Sequence, residues 1–301
     1  MDKKPQITVF TPTYNRADCL HHGYKALQRQ TDKNFEWLII DDGSTDNTAE
    51  LVKQWQSEDN DFNIRYIYKK NGGLHTGYNE AIANMDTELS VCIDSDDYMP
   101  DDAIETILKF WNQYGSDEYA GISGLDFNAK TDTVIGGAYP EQKTINLIDC
   151  LIGKYPDSSG DKKHVVRTEL YKSVAPMKSF EGEKNFNPHC MHLEISKKYD
   201  FLVLNKNLCF VDYQPTGMTN SMLWQYYNSP NSFAEIRLLY LSLENTPLRF
   251  KMKHSVHYCS SCILAKRKHF IKQSPHSVMA ALSTPVGFLL SRYILYKNRK
   301  R

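Results

Sequence analysis

Segments with strand-like and helix-like patterns alternate along the first third of this chain. Four short runs of β-branched or apolar residues each end in a polar turn, and a segment with helical periodicity follows. The predicted strands are residues 7–11, 35–40, 64–68 and 89–93. This alternation is typical of βαβ units and predicts a parallel sheet flanked by helices. With 301 residues, 41% of them hydrophobic, the chain should form one α/β domain with an appendage.

Polar loops follow the four predicted strands. The carboxyl ends of parallel strands meet at one edge of a sheet, and ligands bind there, so these loops should lie together. Their side chains can stack on a nucleobase, accept a hydrogen bond from a base N–H and hold a metal bridging a diphosphate, which predicts a nucleotide-sugar site. The residues concerned are Thr13, Tyr14, Asp42, Asn71, Gly72, Gly73, Asp94 and Asp96. Taken singly, Asp42 can equally cap a helix, and the two glycines can simply form a turn.

The stretch Asp94-Ser95-Asp96-Asp97 places three carboxylates directly after an apolar run. Carboxylates this close repel one another and raise one another's pKa, and a bound Mg²⁺ or Mn²⁺ relieves that repulsion. A metal held by few carboxylates usually completes its shell with substrate phosphates. The alternative is a solvated acidic turn before a helix near Pro100.

Four segments together closely resemble the family 2 glycosyltransferases, which are metal-dependent inverting enzymes of the GT-A fold. The order and spacing of the segments are more specific than any one of them. The resemblance is firm over about the first third of the chain, weaker up to Tyr213 and absent beyond it. The segments are Pro12-Thr13-Tyr14-Asn15, Asp41-Asp42-Gly43-Ser44-Thr45-Asp46, Asn71-Gly72-Gly73 with Asn79, and Asp94-Ser95-Asp96-Asp97.

This resemblance implies a GT-A fold with a mostly parallel, Rossmann-like sheet. It implies that Thr13, Tyr14 and Asp42 contact the nucleobase, which is uracil in much of the family. Asp94 and Asp96 would bind Mn²⁺ or Mg²⁺, with Asp97 as a further ligand or a residue behind the ligands. The donor-binding set also includes Asn71, Gly72, Gly73, His75 and Ser95. His75 is either a partner of the diphosphate or sugar, or an exposed histidine in the first turn of a helix.

An inverting transfer needs a base that takes the proton of the acceptor hydroxyl. The family takes a carboxylate from the later part of the catalytic domain, and residues 180–189 resemble that region. His189 stands where relatives carry an acidic residue, and a histidine with a pKa of about 6.5 can act as a base near neutral pH. We therefore rank His189 first and Glu183 second. Alternatively, the segment is an ordinary loop in which Glu183 pairs with Lys184 or a distant arginine.

The formal net charge of +0 hides an asymmetry. Twelve basic residues and no acidic one follow Glu244, and apolar residues are interleaved with them. Such basic amphipathic segments bind anionic membrane surfaces. Residues 276–291 are free of charge but contain Pro285 and Gly287 and are shorter than the roughly 20 residues of a spanning helix, so we expect peripheral association. An oligomer contact, a helix docked on the acidic catalytic domain and nucleic-acid binding are the alternatives, and no stacking or finger motif supports the last.

The cysteines and the N-terminus favour the cytoplasm. Seven cysteines form no secretory framework, and the first residues lack the apolar core of a signal peptide. Cys259 and Cys262, with nearby histidines, could be zinc ligands, but an isolated CxxC in a helix is more often a pair of partly buried thiols.

We therefore predict a cytoplasmic inverting glycosyltransferase, of the hexosyl- or N-acetylhexosaminyltransferase class, at the inner face of the cell membrane. It would move a sugar from a UDP-sugar to a glycan or lipid-linked acceptor in cell-surface polysaccharide assembly. The predicted domains are residues 1–215, with a nucleotide-sugar-binding part (1–115) and an acceptor-side part (116–215), and a helical basic extension (216–301). Trp224, Tyr226 and Tyr227 either stack on acceptor sugars or belong to the core. The non-enzymatic alternative is a glycan-binding or scaffold protein of the same fold.

Overall fold

The computed structural model describes residues 4–213 and 222–299. The chain divides into two compact units. The first comprises Met1–Pro176 and Met191–Gln214, and the second comprises Met177–Cys190 and Pro215–Arg301. The segment 177–190, with both candidate bases, thus groups with the C-terminal helices. The predicted boundary between residues 215 and 216 falls in the segment 214–221, outside the described residues.

The first unit is built around one mixed sheet. Its strands are β1 (Ile7–Thr13), β2 (Phe35–Asp41), β3 (Asn63–Tyr68), β4 (Leu89–Cys92), β5 (Tyr119–Asn128), β6 (Thr133–Val134), β7 (Thr144–Ile145), β8 (Lys162–Arg167) and β9 (Asp200–Val211). Its helices are α1 (Leu20–Gln28), α2 (Thr48–Ser57), α3 (Leu74–Asn84), α4 (Ala103–Tyr114), α5 (Leu147–Leu151), α6 (Thr168–Val174) and most of α7 (His189–Ser196).

The strand order is β3-β2-β1-β4-β8-β5-β9-β7, and β6 pairs with β5. Strands β1 to β4 are parallel, as predicted. Strand β8 runs antiparallel to both of its neighbours, β5 and β9 are parallel, and β7 is antiparallel to β9. The predicted mostly parallel α/β sheet flanked by helices is therefore confirmed: β5 and β9 run in the same direction as β1 to β4, and β8 between β4 and β5 runs in the opposite one.

The core lies on both faces of the parallel strands. Every residue of β1 and β2 is buried, as expected for strands that helices cover on both sides. Tyr24 from α1 and Trp55 from α2 stack at 4.4 Å on one of these faces, and Trp37 from β2 lies 5.8 Å from Trp55. These aromatic contacts hold the two helices against the strands that position the polar loops.

The described part of the second unit is helical. Its helices are α8 (Met222–Asn228), α9 (Pro230–Ser242), α10 (Leu248–Leu264), α11 (Phe270–Gln273) and α12 (Ser277–Asn298). Cys259 and Cys262 are fully buried thiols in its core, beside Tyr258 and Ala280. Arg267 donates to Glu235 at 2.7 Å, which ties the end of α10 to α9.

Helix α12 differs from the sequence expectation. It continues through Pro285 and past the charge-free stretch to Asn298, so the argument that the apolar segment is too short is wrong. By length and composition α12 is the one helix in residues 4–213 and 222–299 that could cross a membrane. A single helix of this kind is weak evidence for a membrane crossing, because core helices of soluble proteins can have the same length and composition.

Candidate functional site

The loops after the first three strands lie together at one edge of the sheet. Thr13 pairs with Asp41, and Asp41 pairs with Tyr68, so the three strands end side by side. The backbone N–H of Asp42 donates to the carbonyl of Thr13 at 2.8 Å, and that of Lys69 donates to the carbonyl of Asp41 at 2.9 Å. Parallel pairing therefore brings the predicted donor-binding loops together.

Asp42 anchors the glycine-containing loop. Its carboxylate accepts hydrogen bonds from the backbone N–H of Gly72 at 2.9 Å and of Gly73 at 2.7 Å, and Lys69 Nζ lies 2.5 Å from Oδ1. Gly73 has a φ of +96°, which an L-residue rarely adopts, so a glycine is required where the loop enters α3. The carboxylate of Asp42 thus fixes the loop. A nucleobase would have to bind this carboxylate in addition to Gly72, Gly73 and Lys69.

The first loop presents one exposed ring. Tyr14 is 47% exposed, whereas Thr13 is buried. Asn15 connects this loop to the next one, because its N–H donates to Ser44 Oγ and its Oδ1 accepts from the N–H of Thr45, both at 2.8 Å. The ring of Tyr14 is therefore held at the sheet edge with a free face for stacking.

His75 lies in the first turn of α3 and is completely buried. The interpretation of this residue as an exposed first-turn histidine is therefore wrong. A role toward a diphosphate or sugar stays a prediction.

The acidic loop after β4 carries three carboxylates in different environments. Asp94 is exposed, Asp96 is half-buried and Asp97 is buried, as is Ser95. Burial, reinforced by the charge of Asp94, raises the pKa of Asp96. Burial also raises the pKa of Asp97 well above its usual range; Lys163 opposes this shift, and Asp94 and Asp96 add to it. The loop thus holds its negative charges at an energetic cost.

A hard divalent cation fits this donor set. Asp94 and Asp96 offer carboxylate oxygens, the ligands that Mg²⁺ and Mn²⁺ prefer. The raised pKa of Asp96 shows that a positive charge beside it would be stabilising. Asp97 is too buried to reach a cation held by Asp94 and Asp96. Its carboxylate instead accepts a hydrogen bond of 3.1 Å from the backbone N–H of Asp212. Asp94 and Asp96 are therefore the ligand candidates, and Asp97 is a residue behind them.

Sequence reasoning missed the residues that support this loop. Lys163 on β8 is buried and lies 3.8 Å from Asp126 on β5. Burial raises the pKa of Asp126 to about 6, against the opposing effect of Lys163. Lys69, which binds Asp42, was also missed. Each is a single charged residue in or beside a strand, and its partner is distant in sequence, so no local motif marks it.

The two candidate bases lie in the second unit. Both oxygens of Glu183 accept hydrogen bonds from the backbone and side chains of Asn231 and Ser232, at 2.7–2.8 Å, at the start of α9. Glu183 therefore caps a helix, and among residues 4–213 and 222–299 it forms an ion pair with neither Lys184 nor an arginine. His189 begins α7, and burial lowers the pKa of its imidazole to about 4. His189 is thus neutral at physiological pH, in the form that can accept a proton.

The aromatic residues of α8 have different surroundings. Trp224 is 50% exposed and Tyr227 is 45% exposed. Tyr226 packs edge-on against Phe233 at 4.4 Å and accepts a hydrogen bond from Arg237, so it belongs to the packing of the helices. Only Trp224 and Tyr227 present faces that a sugar ring could cover.

Comparison with known proteins gives a consistent match for the N-terminal half. Residues 8–145 match the family model described as Glycosyl transferase family 2. The chain is 34% identical over 146 residues to the glycosyltransferase GlyA of Streptococcus pneumoniae, which covers 47% of this chain and 20% of that protein. It is 32% identical over 109 residues to a hyaluronan synthase of Pasteurella multocida, covering 36% and 11% of the two chains. The match thus spans only a small part of either relative.

Solved structures resemble the chain over nearly its whole length. S. aureus TarS 1-349 in complex with UDP-GlcNAc has a TM-score of 0.61 at 18% identity, covering 98% of this chain and 92% of that one. The mannosyltransferase PcManGT from Pyrobaculum calidifontis, in complex with GDP-Man and Mn²⁺, has a TM-score of 0.58 at 14% identity, covering 97% and 88%. At these identities the likeness establishes the fold alone.

Proposed function

We propose that this protein transfers a hexosyl or N-acetylhexosaminyl group from a UDP-sugar to a glycan or lipid-linked acceptor, because residues 8–145 match the model of glycosyl transferase family 2. One observation carries the proposal: strands β1 to β4 are parallel neighbours, so the loop that Asp42 anchors and the loop that bears Asp94 and Asp96 follow carboxyl ends on the same side of the sheet. A nucleotide sugar needs both features, namely a surface for the base and charge compensation for the diphosphate.

The base is assigned to the first three loops. Tyr14 offers its exposed ring for stacking, Thr13 contributes the adjoining backbone, and Asp42 is the acceptor for a base N–H. Uracil is the preferred base, since a single carboxylate acceptor beside an aromatic face suits its one ring N–H. TarS was solved with UDP-GlcNAc, which supports this choice, whereas PcManGT was solved with GDP-Man.

The diphosphate is assigned to the acidic loop. Asp94 and Asp96 would hold Mn²⁺ or Mg²⁺, and the bound cation would neutralise the charge of the departing nucleoside diphosphate. Asn71, Gly72 and Gly73 lead into α3, whose first-turn backbone N–H groups would face the phosphates. Ser95 and His75 belong to the same donor-binding set.

The transfer forms a bond between the acceptor oxygen and the anomeric carbon, while the bond from that carbon to the phosphate oxygen breaks. The acceptor hydroxyl loses its proton to a base. His189 is the first candidate, because its lowered pKa keeps the imidazole neutral. Glu183 becomes a weaker second candidate, because four hydrogen bonds already engage both oxygens of its carboxylate.

A glycan or lipid-linked saccharide is the proposed acceptor, in assembly of a cell-surface polysaccharide. The exposed rings of Trp224 and Tyr227 can stack on sugar rings. The similarity to a hyaluronan synthase supports a polymer product. The seven cysteines show no secretory disulfide framework, which favours the reducing cytoplasm, and the basic C-terminal segment favours a peripheral position at the inner face of the cell membrane.

A second candidate function is a glycan-binding or scaffold protein that has kept the fold without the chemistry. Two observations favour it: the carboxylate of Glu183 is already engaged in capping a helix, and burial lowers the pKa of His189 to about 4, which makes its imidazole a weak base. The acidic loop argues against it, because a scaffold gains nothing from holding repelling carboxylates together.

Release of nucleoside diphosphate from nucleotide sugars tests the proposal. UDP-GlcNAc, UDP-glucose, UDP-galactose and GDP-mannose are each incubated with the protein and Mn²⁺, with and without an excess of EDTA. We expect turnover of one UDP-sugar that EDTA abolishes and that a saccharide acceptor accelerates. Binding without release of nucleoside diphosphate, in the presence of every acceptor tried, would favour the scaffold.

A further inference from the structure

Helix α12 points its large apolar side chains away from the protein. Val278, Leu282 and Leu289 are 73%, 77% and 67% exposed, which is unusual for three aliphatic residues on one helix. Their spacing places them on one face, because residues four and seven positions apart are neighbours on a helix. The same face includes Pro285, Tyr293 and Tyr296, and we call it the outer face of α12.

The opposite face of α12 is packed and, apart from Ile294, is made of small residues. Ala280, Ser283, Gly287 and Ser291 are buried. A Cβ added to Gly287 would lie 2.7 Å from the Cβ of Cys259 on α10, so only glycine permits the close approach of these two helices. The thiol of Cys259 donates to the carbonyl of Ala280 at 3.3 Å. This packing fixes the orientation of α12 and leaves its outer face exposed.

Basic and aromatic side chains border the outer face near its C-terminal end. The guanidinium of Arg292 lies 4.7 Å from the ring centroid of Phe288, and Lys297 Nζ lies 5.7 Å from that of Tyr293. No acidic residue follows Glu244, so nothing in this part of the sequence neutralises these charges. Apolar side chains bordered by aromatic rings and cations are typical of helices that lie in a membrane interface.

We propose that the outer face of α12 inserts into the headgroup region of an anionic lipid bilayer, with the helix lying in the membrane plane. The inference deepens the peripheral location that is part of the proposed function, and it names the surface responsible. It does not depend on the donor, since α12 contains no residue assigned to donor binding. A contiguous exposed apolar patch of this kind marks an interaction site.

The charges favour lipid over a second copy of this chain. In a parallel two-fold contact through the outer face the basic ends of the two helices would repel, and in an antiparallel one each basic end would meet a half of α12 that has no acidic residue. An anionic bilayer instead supplies the negative charge that this segment lacks. A crossing orientation is disfavoured, because it would expose to lipid the face that packs on α10.

Vesicle co-sedimentation tests this inference. The full chain is incubated with vesicles of phosphatidylcholine alone and with an equimolar mixture of phosphatidylcholine and phosphatidylglycerol. We expect binding to the mixed vesicles, a loss of at least about tenfold for Leu282→Gln/Leu289→Gln, and about a fivefold loss per charge for Arg292→Gln and Lys297→Gln. Both leucines are exposed, so the double variant should fold normally.

Tyr293→Gln and Tyr114→Gln form a matched pair, because these tyrosines are 48% and 47% exposed and only the first lies on α12. Only Tyr293→Gln should weaken vesicle binding. Equal sedimentation of the wild type and Leu282→Gln/Leu289→Gln would overturn the inference. A wild type that dimerises and binds no vesicles, together with a monomeric double variant, would also overturn the inference, because the outer face of α12 would then join two copies of the chain.

UDP binding is measured on the same samples. Failure to bind vesicles with UDP binding intact would refute the role of α12 alone. Vesicle binding without UDP binding would refute the donor assignment alone.

Discussion

The backbone N–H of Asp212, at the end of β9, donates a hydrogen bond of 3.1 Å to Oδ1 of Asp97. A pair of backbone hydrogen bonds between Tyr98 and Phe210 lies next to it, at 3.1 and 2.7 Å. These three hydrogen bonds therefore hold the acidic loop against β9. Since Asp97 is buried in this contact, Asp94 and Asp96 are left as the carboxylates that can reach a cation.

Replacing Lys163 with methionine should strongly destabilise the first unit. The change leaves Asp126 and Asp97 buried without their nearest positive charge, and loss of one partner of a buried pair costs about 3–5 kcal/mol. Denaturant unfolding measures the effect. The control is Lys130→Met, whose ion pair with Asp212 is solvent-exposed and should contribute about 0–1 kcal/mol. Equal unfolding free energies for the two variants would contradict the supporting role of Lys163.

Replacing Asp42 with asparagine should loosen the glycine loop. The variant loses the charge that pairs with Lys69 and one acceptor for the N–H groups of Gly72 and Gly73, so we expect a destabilisation of about 1–3 kcal/mol. Donor affinity should fall as well. A double-mutant cycle with Lys69→Met separates the contribution of the ion pair from that of the hydrogen bonds to the glycines, because the Asp42–Lys69 interaction is absent from the double variant. Additive effects of the two substitutions would show that this ion pair does not hold the loop.

The two candidate bases should behave differently when each is replaced by glutamine. His189→Gln should bind the donor normally and lose about 10²–10⁴-fold in transfer rate, the usual contribution of a general base. Glu183→Gln should destabilise the second unit by about 1–3 kcal/mol, because it weakens the cap at the start of α9. Binding, initial rates and thermal unfolding distinguish these effects.

Glu181→Gln is the control for both variants, because Glu181 is exposed and the same substitution there should change neither transfer rate nor stability. Full transfer activity of His189→Gln would move the base elsewhere. A stable but inactive Glu183→Gln would reverse the ranking.

Acid should destabilise the second unit through His254. Burial, with Arg237 next in effect, lowers its pKa to about 3, and the Arg237 guanidinium lies 3.0 Å from its Nδ1. The unfolded chain takes up this proton below about pH 6.5, while the folded chain does not, so stability is complete above that pH and falls toward the folded pKa.

Lowering the pH from about 7 to about 5.5 should therefore cost about 1 kcal/mol through this residue. Denaturant unfolding at both pH values measures the loss. His254→Gln should remove this contribution, and the exposed His22→Gln should leave it unchanged. An identical pH dependence in all three proteins would contradict the assignment.

The sequence predicts the parts of the structure that depend on local patterns. Strands β1 to β4 and the position of the acidic loop follow from β-branched runs that end in polar turns. Strand β8 depends on pairing with strands far away in sequence, so its antiparallel position between β4 and β5 has no local signal. Helix α12 continues through Pro285; the Ala281 carbonyl, which loses its helical hydrogen bond there, lies on the exposed side, where water can satisfy it.

Burial explains most of the remaining differences at the site. His75 and Lys163 have sequence surroundings typical of surface residues, yet both are buried by elements that approach from elsewhere in the chain. In the sequence Glu183 resembles a free loop carboxylate, whereas in the structure it accepts four hydrogen bonds from residues at the start of α9. Motifs thus identify which residues are chemically suited to a role, and tertiary packing decides which of them stay available.

The most direct test of the central claim is calorimetric titration of UDP into the protein, first with Mn²⁺ and then with EDTA. We expect saturable binding that requires Mn²⁺ and that weakens at least tenfold, about 1.4 kcal/mol, in Asp96→Ala. The exposed Asp59→Ala serves as the control and should bind UDP as the wild type does. Equal affinity for UDP with Mn²⁺ and with EDTA, or an unchanged affinity in Asp96→Ala, would contradict the metal-assisted donor site.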